Sequence, residues 1–282
     1  MIRDITIGQY YQTESVIHRL DPRVKLLGTL LFIIALFNYK NPVGYALGII
    51  FLFAVIKLSH VPVKFITKGL KGIFIIMLMT VLINLFLTPG NTAITLGKLT
   101  ITYEGIATAF SMMLRLMLLI MGSSIVTLTT TPNNLTDGLE KGLGFLKIFK
   151  VPVGDVAMMM SIALRFIPIL LEETDRIMKA QLARGADFES GNLIKKAKSL
   201  VPVLVPLFVS AFRRAGDLAM AMEARCYRGG DGRTKMKPLI YKKRDAFGYL
   251  VLFSFAGISI FLGRWHIITE FFNSLYVNYI LK

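Results

Sequence analysis

Two short segments bring the same residue types together twice. Ala180-Gln181-Leu182-Ala183-Arg184-Gly185 is matched, 41 residues further on, by Ala221-Met222-Glu223-Ala224-Arg225-Cys226. Each is an A-x-x-A-R step at helical spacing, followed by a small residue. A guanidinium is a planar fork of donors that holds a carboxylate or several carbonyls in one geometry, which an ammonium cannot do. Alanine beside it and a small residue after it let the backbone enter a groove. The chemistry suggested is recognition: two plugs for two matched sockets on something else. The plainer alternative is that basic residues at a membrane face set topology or touch lipid headgroups. For most cations between 131 and 244 that alternative is adopted, but not for Arg184 and Arg225.

Other residues invite chemistry less strongly. Glu172-Glu173-x-Asp175 has the acidic character of a magnesium–diphosphate site. With Arg176 and Lys179 beside it, a solvated helix face is the favoured reading. His18, His60 and His266 are scattered, and no carboxylate–histidine pair has metal spacing. The single cysteine, Cys226, excludes a disulfide framework and a multi-cysteine metal site. No G-x-x-x-x-G-K-[ST] occurs, so ATP is not bound by a P-loop of this chain. No catalytic residue, metal ligand or cofactor is expected. Arg115, inside Ser111–Leu119, is a charge in the middle of an apolar helix. Such a charge must face protein or water, and no acid shares its helical face. Its partner must therefore come from another helix, a backbone carbonyl or a second subunit. A structural role at the junction between the spanning bundle and the basic region is expected.

The elements that carry these residues are dictated by hydropathy. With 282 residues, 54% of them hydrophobic, and mean hydropathy +0.61, the chain is too apolar for an ordinary soluble domain. The net charge of +16 lies mostly between apolar segments, as loops retained on the cytoplasmic side would have it, and does not indicate nucleic acid. Residues 1–25 contain no apolar core, so no cleavable signal peptide is expected. Asp21 and Pro22 suit the N-cap and first position of a helix. Apolar runs at Leu26–Phe37, Val43–Ile56, Ile73–Leu87, Gly105–Thr127 and Ala246–Leu262 give about five transmembrane helices. The region 266–281 is too interrupted by Glu270, Asn273 and Asn278 to be counted as a sixth. Lys57, Lys64, Lys68 and Lys71 mark an inner loop. Ala93–Tyr103 alternates as a small hairpin would. Gly44-x-x-x-Gly48 has the spacing of a close helix seam.

From Thr131 to Arg244 the character changes, with 20 Lys/Arg against 11 Asp/Glu. Pro152, Pro168, Pro202 and Pro206 interrupt its apolar runs. The region is read as long amphipathic helices at the cytoplasmic membrane face, closed by a turn at Gly229-Gly230-Asp231-Gly232. The fold class expected is an all-α integral membrane protein. Residues 1–130 form an N-terminal segment and four-span region, 131–244 the coupling-helix region, and 245–282 a final span and tail. Parity puts the N-terminus and the basic region on the cytoplasmic side and the C-terminus outside.

Taken in order, these residues resemble a known family, the transmembrane (T) component of energy-coupling factor transporters, which includes cobalt-transport permeases. Ala183-Arg184-Gly185 and Ala224-Arg225-Cys226 resemble its paired Ala-Arg-Gly motifs. Ser15–Leu26 resembles its entry segment, Leu164–Pro168 with Glu172-Glu173 its first coupling region, and Glu223–Gly229 its second. Cys226 departs from the usual glycine, and a conformation needing positive φ would be costlier there. The resemblance implies no enzyme activity in this chain. It implies a scaffold in the cell membrane that couples two ABC-type ATPases to a small substrate-binding membrane protein, the S component, for uptake of a vitamin or metal ion. Arg184 and Arg225 would be the ATPase-docking residues. Methionines such as Met158, Met159, Met160, Met220 and Met222 would suit a surface that repacks. The rival from another class is a membrane-embedded lipid-diphosphate transferase using Glu172, Glu173 and Asp175 with magnesium.

Overall fold

The computed structural model describes residues 10–39, 41–96, 99–188, 192–229, 236 and 238–280. It is an all-α membrane protein with one small hairpin. The helices are α1 (Pro22–Asn38), α2 (Pro42–Ser59), α3 (Val63–Leu87), α4 (Tyr103–Thr129), α5 (Pro132–Gly142), α6 (Val153–Ala183), α7 (Leu193–Ala224) and α8 (Lys243–Ile280). Strands β1 (Thr92–Leu96) and β2 (Leu99–Thr102) pair antiparallel between α3 and α4. A 3-10 segment, Leu143–Phe149, precedes α6. Backbone contacts divide the chain into two compact units. One comprises Leu139–Pro238; the other joins Gly8–Gly138 to Leu239–Lys282. Of the expected turn at Gly229–Gly232, only Gly229 falls among the described residues. The first nine residues of the entry segment lie outside them.

The larger unit is built around α1. Phe32, Ala35, Leu36 and Tyr39 meet Tyr45, Leu52 and Ile56 of α2, Leu118 and Ile125 of α4, and Phe255 of α8. Small residues permit this density. A Cβ on Gly122 would lie 2.7 Å from the Phe32 ring, and one on Gly28 would lie 2.9 Å from Leu252. Gly44 and Gly48 do form a seam, within the chain: both lie against the ring of Tyr39. Beyond Ile66, which joins this core, α3 buries only Met77 and exposes an apolar face from Phe74 to Leu87, as a lipid-facing helix does.

The structure departs from the expectations at several points. Six helices, rather than about five, are long and apolar enough to cross a membrane: α2, α3, α4, α6, α7 and α8. Of the prolines, Pro152 is the N-cap of α6, and Pro168, Pro202 and Pro206 lie inside α6 and α7. The first expected span, α1, has only 17 residues. Lys64, Lys68 and Lys71 sit on the opening turns of α3, not on a loop, because lysine is a good helix former whose stem can lie along apolar surface. Finally, α8 continues unbroken through the region discounted as a span. Its 38 residues measure about 57 Å, well beyond a hydrocarbon core of about 30 Å.

Helix ends of the larger unit are tied to one another. The Asp21 carboxylate accepts the Arg23 N–H at 2.9 Å, capping α1 at the position its sequence predicts. The buried Asp245 carboxylate accepts the Asp21 N–H at 2.9 Å and the Lys242 N–H at 2.7 Å. It thereby fastens the start of α8 to the start of α1. Arg23 lies over the Tyr241 ring at 4.4 Å and donates to the Leu239 carbonyl at 3.2 Å. Lys25 Nζ donates to the Thr129 carbonyl at 2.9 Å and to Thr130 Oγ1 at 3.1 Å, closing the C-terminus of α4. His18 extends the knot. Its Nε2–H faces the Tyr11 carbonyl at 3.0 Å, which leaves Nδ1 to accept from the Ser15 hydroxyl at 2.7 Å. Burial is the first cause holding its pKa below the ordinary histidine value.

Asp245→Ala should strand two amide donors that are now satisfied, at a cost of about 3 kcal/mol. Thermal unfolding in detergent should show a lowered midpoint for Asp245→Ala and a smaller drop for Asp245→Asn. An unchanged midpoint in the alanine variant would remove Asp245 from this role.

Candidate functional site

Both A-x-x-A-R segments terminate long helices, and they do so in the same way. In α6 the Gly185 N–H donates to the Leu182 carbonyl at 2.9 Å and the Ala186 N–H to the Gln181 carbonyl at 3.0 Å. In α7 the Cys226 N–H donates to the Glu223 carbonyl at 2.8 Å and the Tyr227 N–H to the Met222 carbonyl at 3.0 Å. Each is the paired-bond C-terminal motif of Schellman. Ala183 and Ala224 are the last helical residues, and Arg184 and Arg225 are the C-caps, with φ,ψ of −87°, 6° and −92°, 14°. Gly185 and Cys226 occupy the left-handed position, at φ +86° and +56°. All six residues are exposed. The repeat seen in sequence is therefore a repeat of backbone geometry, with a guanidinium at the tip of each helix.

Cys226 carries the cost that its departure from glycine implied. A residue with a Cβ is strained in the left-handed region, and glycine is not. Nothing lies within 4 Å of the place where Gly185 would bear a Cβ, so at the matched α6 cap conformation, not space, favours glycine.

The two helices run antiparallel. Glu173 of α6 pairs with Arg214 of α7 at 3.3 Å. Nearer the end of α6, the Gln181 side-chain amide donates to the Pro202 carbonyl at 3.5 Å. That carbonyl lacks its usual helical donor because residue 206 is proline, so α6 supplies what α7 cannot. At the opposite end, Met158, Met159 and Ile162 of α6 line a cavity of 340 Å³ with Met222 of α7 and Tyr227 just beyond it. The Arg225 tip thus lies beside the start of α6, while Arg184 ends it. About 25 helical residues separate the two levels, roughly 35–40 Å. Along α7, Val201, Leu204, Val205, Phe208 and Phe212 form an exposed apolar ridge at helical spacing.

The other candidates separate from this site. Glu173 is committed to Arg214, and among the described residues no three His, Cys, Asp or Glu side chains gather where they could hold a metal ion. Arg115 belongs to the larger unit. Its Nη2 donates to the Tyr45 hydroxyl at 2.7 Å and to the Tyr39 carbonyl at 3.2 Å, and the Tyr39 hydroxyl bonds Ser259 Oγ of α8 at 2.7 Å. These partners are the C-cap of α1 and the first turn of α2. Tyr39 is the C-cap of α1, so the mid-helix charge sits where the short α1 ends and its carbonyls need donors. Sequence periodicity along α4 could not reveal this, because the partner is set by the length of another helix.

The geometry is that of a multi-pass α-helical membrane protein presenting two equivalent arginine-tipped helix ends. The family model described as cobalt transport protein (CbiQ) matches residues 13–236. The chain is 54% identical over 267 residues to the energy-coupling factor transporter transmembrane protein EcfT of Clostridium kluyveri, covering 94% of this chain and 99% of that protein. It is 51% identical to the EcfT of Ruminiclostridium cellulolyticum, covering 96% and 99%, and 46% identical to that of Bacillus subtilis, covering 93% and 99%. The chain belongs to this family, the transmembrane components of energy-coupling factor transporters. The relatives' names describe a transporter component, not an enzyme.

Cys226→Gly should relieve the strained cap and stabilise the end of α7 by about 1 kcal/mol. Hydrogen exchange at the amides of 226 and 227 should slow about fivefold. Faster exchange in the glycine variant would refute the strain argument. Arg115→Leu should leave the Tyr39 carbonyl and Tyr45 hydroxyl unpaired and lose about 2–4 kcal/mol. Arg115→Lys should recover part of the loss, and thermal midpoints of the three proteins in detergent test this. Equal midpoints for leucine and arginine would make Arg115 a passenger.

Proposed function

We propose that this chain is the energy-coupling subunit of an importer, with Ala183-Arg184-Gly185 and Ala224-Arg225-Cys226 each docking one ABC-type ATPase. The observation that carries this reading is the duplication of one cap geometry at the two far ends of an antiparallel helix pair. A dimer of identical or similar ATPases offers two equivalent sockets, and two equivalent plugs roughly 35–40 Å apart suit them. An exposed C-cap arginine brings its guanidinium forward of the helix end, free to form charge-assisted bonds with a socket's carboxylates or carbonyls. The ion pair and the Gln181 bond link α6 to α7, so a push on one tip is transmitted to the other helix.

The exposed ridge of α7 supports the second half of the reading. A surface from Val201 to Phe212 that is apolar along one face requires lipid or protein against it. A small membrane-embedded S component carrying a vitamin or metal ion is the proposed occupant, and methionines near the Arg225 end suit a contact that repacks. ATP hydrolysis then takes place on the partners. On this reading the N-terminus and the region 131–244 face the cytoplasm, 1–130 holds the first spans, and 245–282 the last. The excess of lysine and arginine in 131–244 favours that orientation.

Arg184→Glu with Arg225→Glu should nearly abolish recovery of ATPase subunits with the tagged full chain and eliminate ATP-driven uptake, while insertion in the membrane is retained. Each single variant should weaken assembly, because reversing one partner of a docked charge costs roughly 2–5 kcal/mol. Full ATPase recovery with the double variant would defeat the docking assignment.

A further inference from the structure

We propose that the larger unit holds one acyl chain of an anionic phospholipid in an apolar cavity, with its phosphate on Arg244. The cavity has a volume of 280 Å³ and lies within this unit, between the entry segment, α1, α2, α4 and α8. Its walls are almost wholly carbon, from side chains such as Ile17, Phe51, Val55, Val126 and Val251. Two cations interrupt them, Lys25 and Arg244. Lys25 is already committed to the α4 carboxyl end and to the His18 carbonyl. Arg244 is half-buried and makes no hydrogen bond or ion pair among the described residues. A half-buried guanidinium on an apolar wall with no acid paired to it favours a negative group as its partner.

The size of the cavity says what that group is attached to. From Arg244 to Leu252 along α8 the lining extends about 12 Å. An apolar trough of that length with one uncommitted cation at its end matches an acyl chain below an anionic headgroup. Leu58, Val16 and Phe247 at its edge are exposed, so it opens toward an apolar surrounding. Charge agrees. In the segments 14–25 and 239–248, Arg19, Arg23, Lys25, Lys242, Lys243 and Arg244 face only Glu14, Asp21 and Asp245. Glu14 pairs with Arg19, Asp21 with Arg23, and Asp245 is spent on amide donors. The remaining positive field attracts anionic headgroups. This inference is independent of ATPase docking.

The full-length chain, with whatever subunits it brings, is reconstituted in phosphatidylcholine nanodiscs carrying a trace of phosphatidylglycerol with a diazirine at the end of one acyl chain. Irradiation should label Phe51, Val55 or Val251 about fivefold more than with the matching phosphatidylcholine probe. Arg244→Gln should bring the two probes to equal labelling, and Val55→Trp should remove labelling by filling the cavity. Lys71→Gln, on α3 and outside the cavity, should change neither. Equal labelling by both probes in the parent protein, or undiminished selectivity in Arg244→Gln, would overturn the proposal. So would displacement of the lipid by inorganic phosphate, which would make Arg244 a free-anion site. Labelling that is lost whenever partner subunits are bound would also overturn it, since the occupant would then be protein.

Discussion

A helix leaves its last carbonyls without donors, and in a membrane no water is at hand to supply them. The larger unit meets this constraint with an exchange between α1 and α4. Lys25, in the first turn of α1, closes the C-terminus of α4 through the Thr129 carbonyl. Arg115, midway along α4, closes the C-terminus of α1 through the Tyr39 carbonyl. Each helix provides the cation that the other's end requires, and a cation near a helix C-terminus is also favoured by the helix dipole. The exchange sets the register of the two helices. Around that register the glycine contacts of Phe32 and Tyr39, and the hydroxyl bond from Tyr39 to α8, become possible.

The smaller unit meets the same constraint differently. Its prolines remove donors inside the helices, and one carbonyl left orphaned by Pro206 is taken up by Gln181 of the neighbouring helix. Its two outer helix ends close on themselves through paired backbone bonds. Because the backbone satisfies itself there, the arginine side chains are not consumed by capping. They remain exposed, and the proposed docking rests on that exposure. The contrast is informative: Lys25 and Arg115 of the larger unit are spent on closing helix ends, whereas Arg184 and Arg225 of the smaller unit are left exposed.

Much of this was legible in the residues. Net hydropathy required an all-α membrane protein. Asp21-Pro22 announced the start of α1, and the alternation after Ala93 announced the hairpin. The repeated A-x-x-A-R step located both helix tips, since an arginine followed by glycine or a small residue is a helix-stop signal with a side chain to spare. Composition also showed a carbon-rich chain with surplus positive charge, though not where a cation would stand without an anion.

What sequence could not determine follows from distance along the chain. The carbonyl that Pro206 leaves without its helical donor finds one in Gln181, 21 residues away from Pro202. Where Arg115 finds its partner depends on α1 stopping at Asn38, 76 residues before it in the chain as measured from Tyr39. Whether α8 runs past Gly263 is not visible in local hydropathy, because polar residues on a helix longer than the membrane need not end it. Local sequence determined the start of α1 and the two arginine-bearing helix ends, since these rest on interactions within about four residues. Only the tertiary structure decided which ends close one another, which cations are spent and which remain free, because those choices are made by groups that meet across the fold.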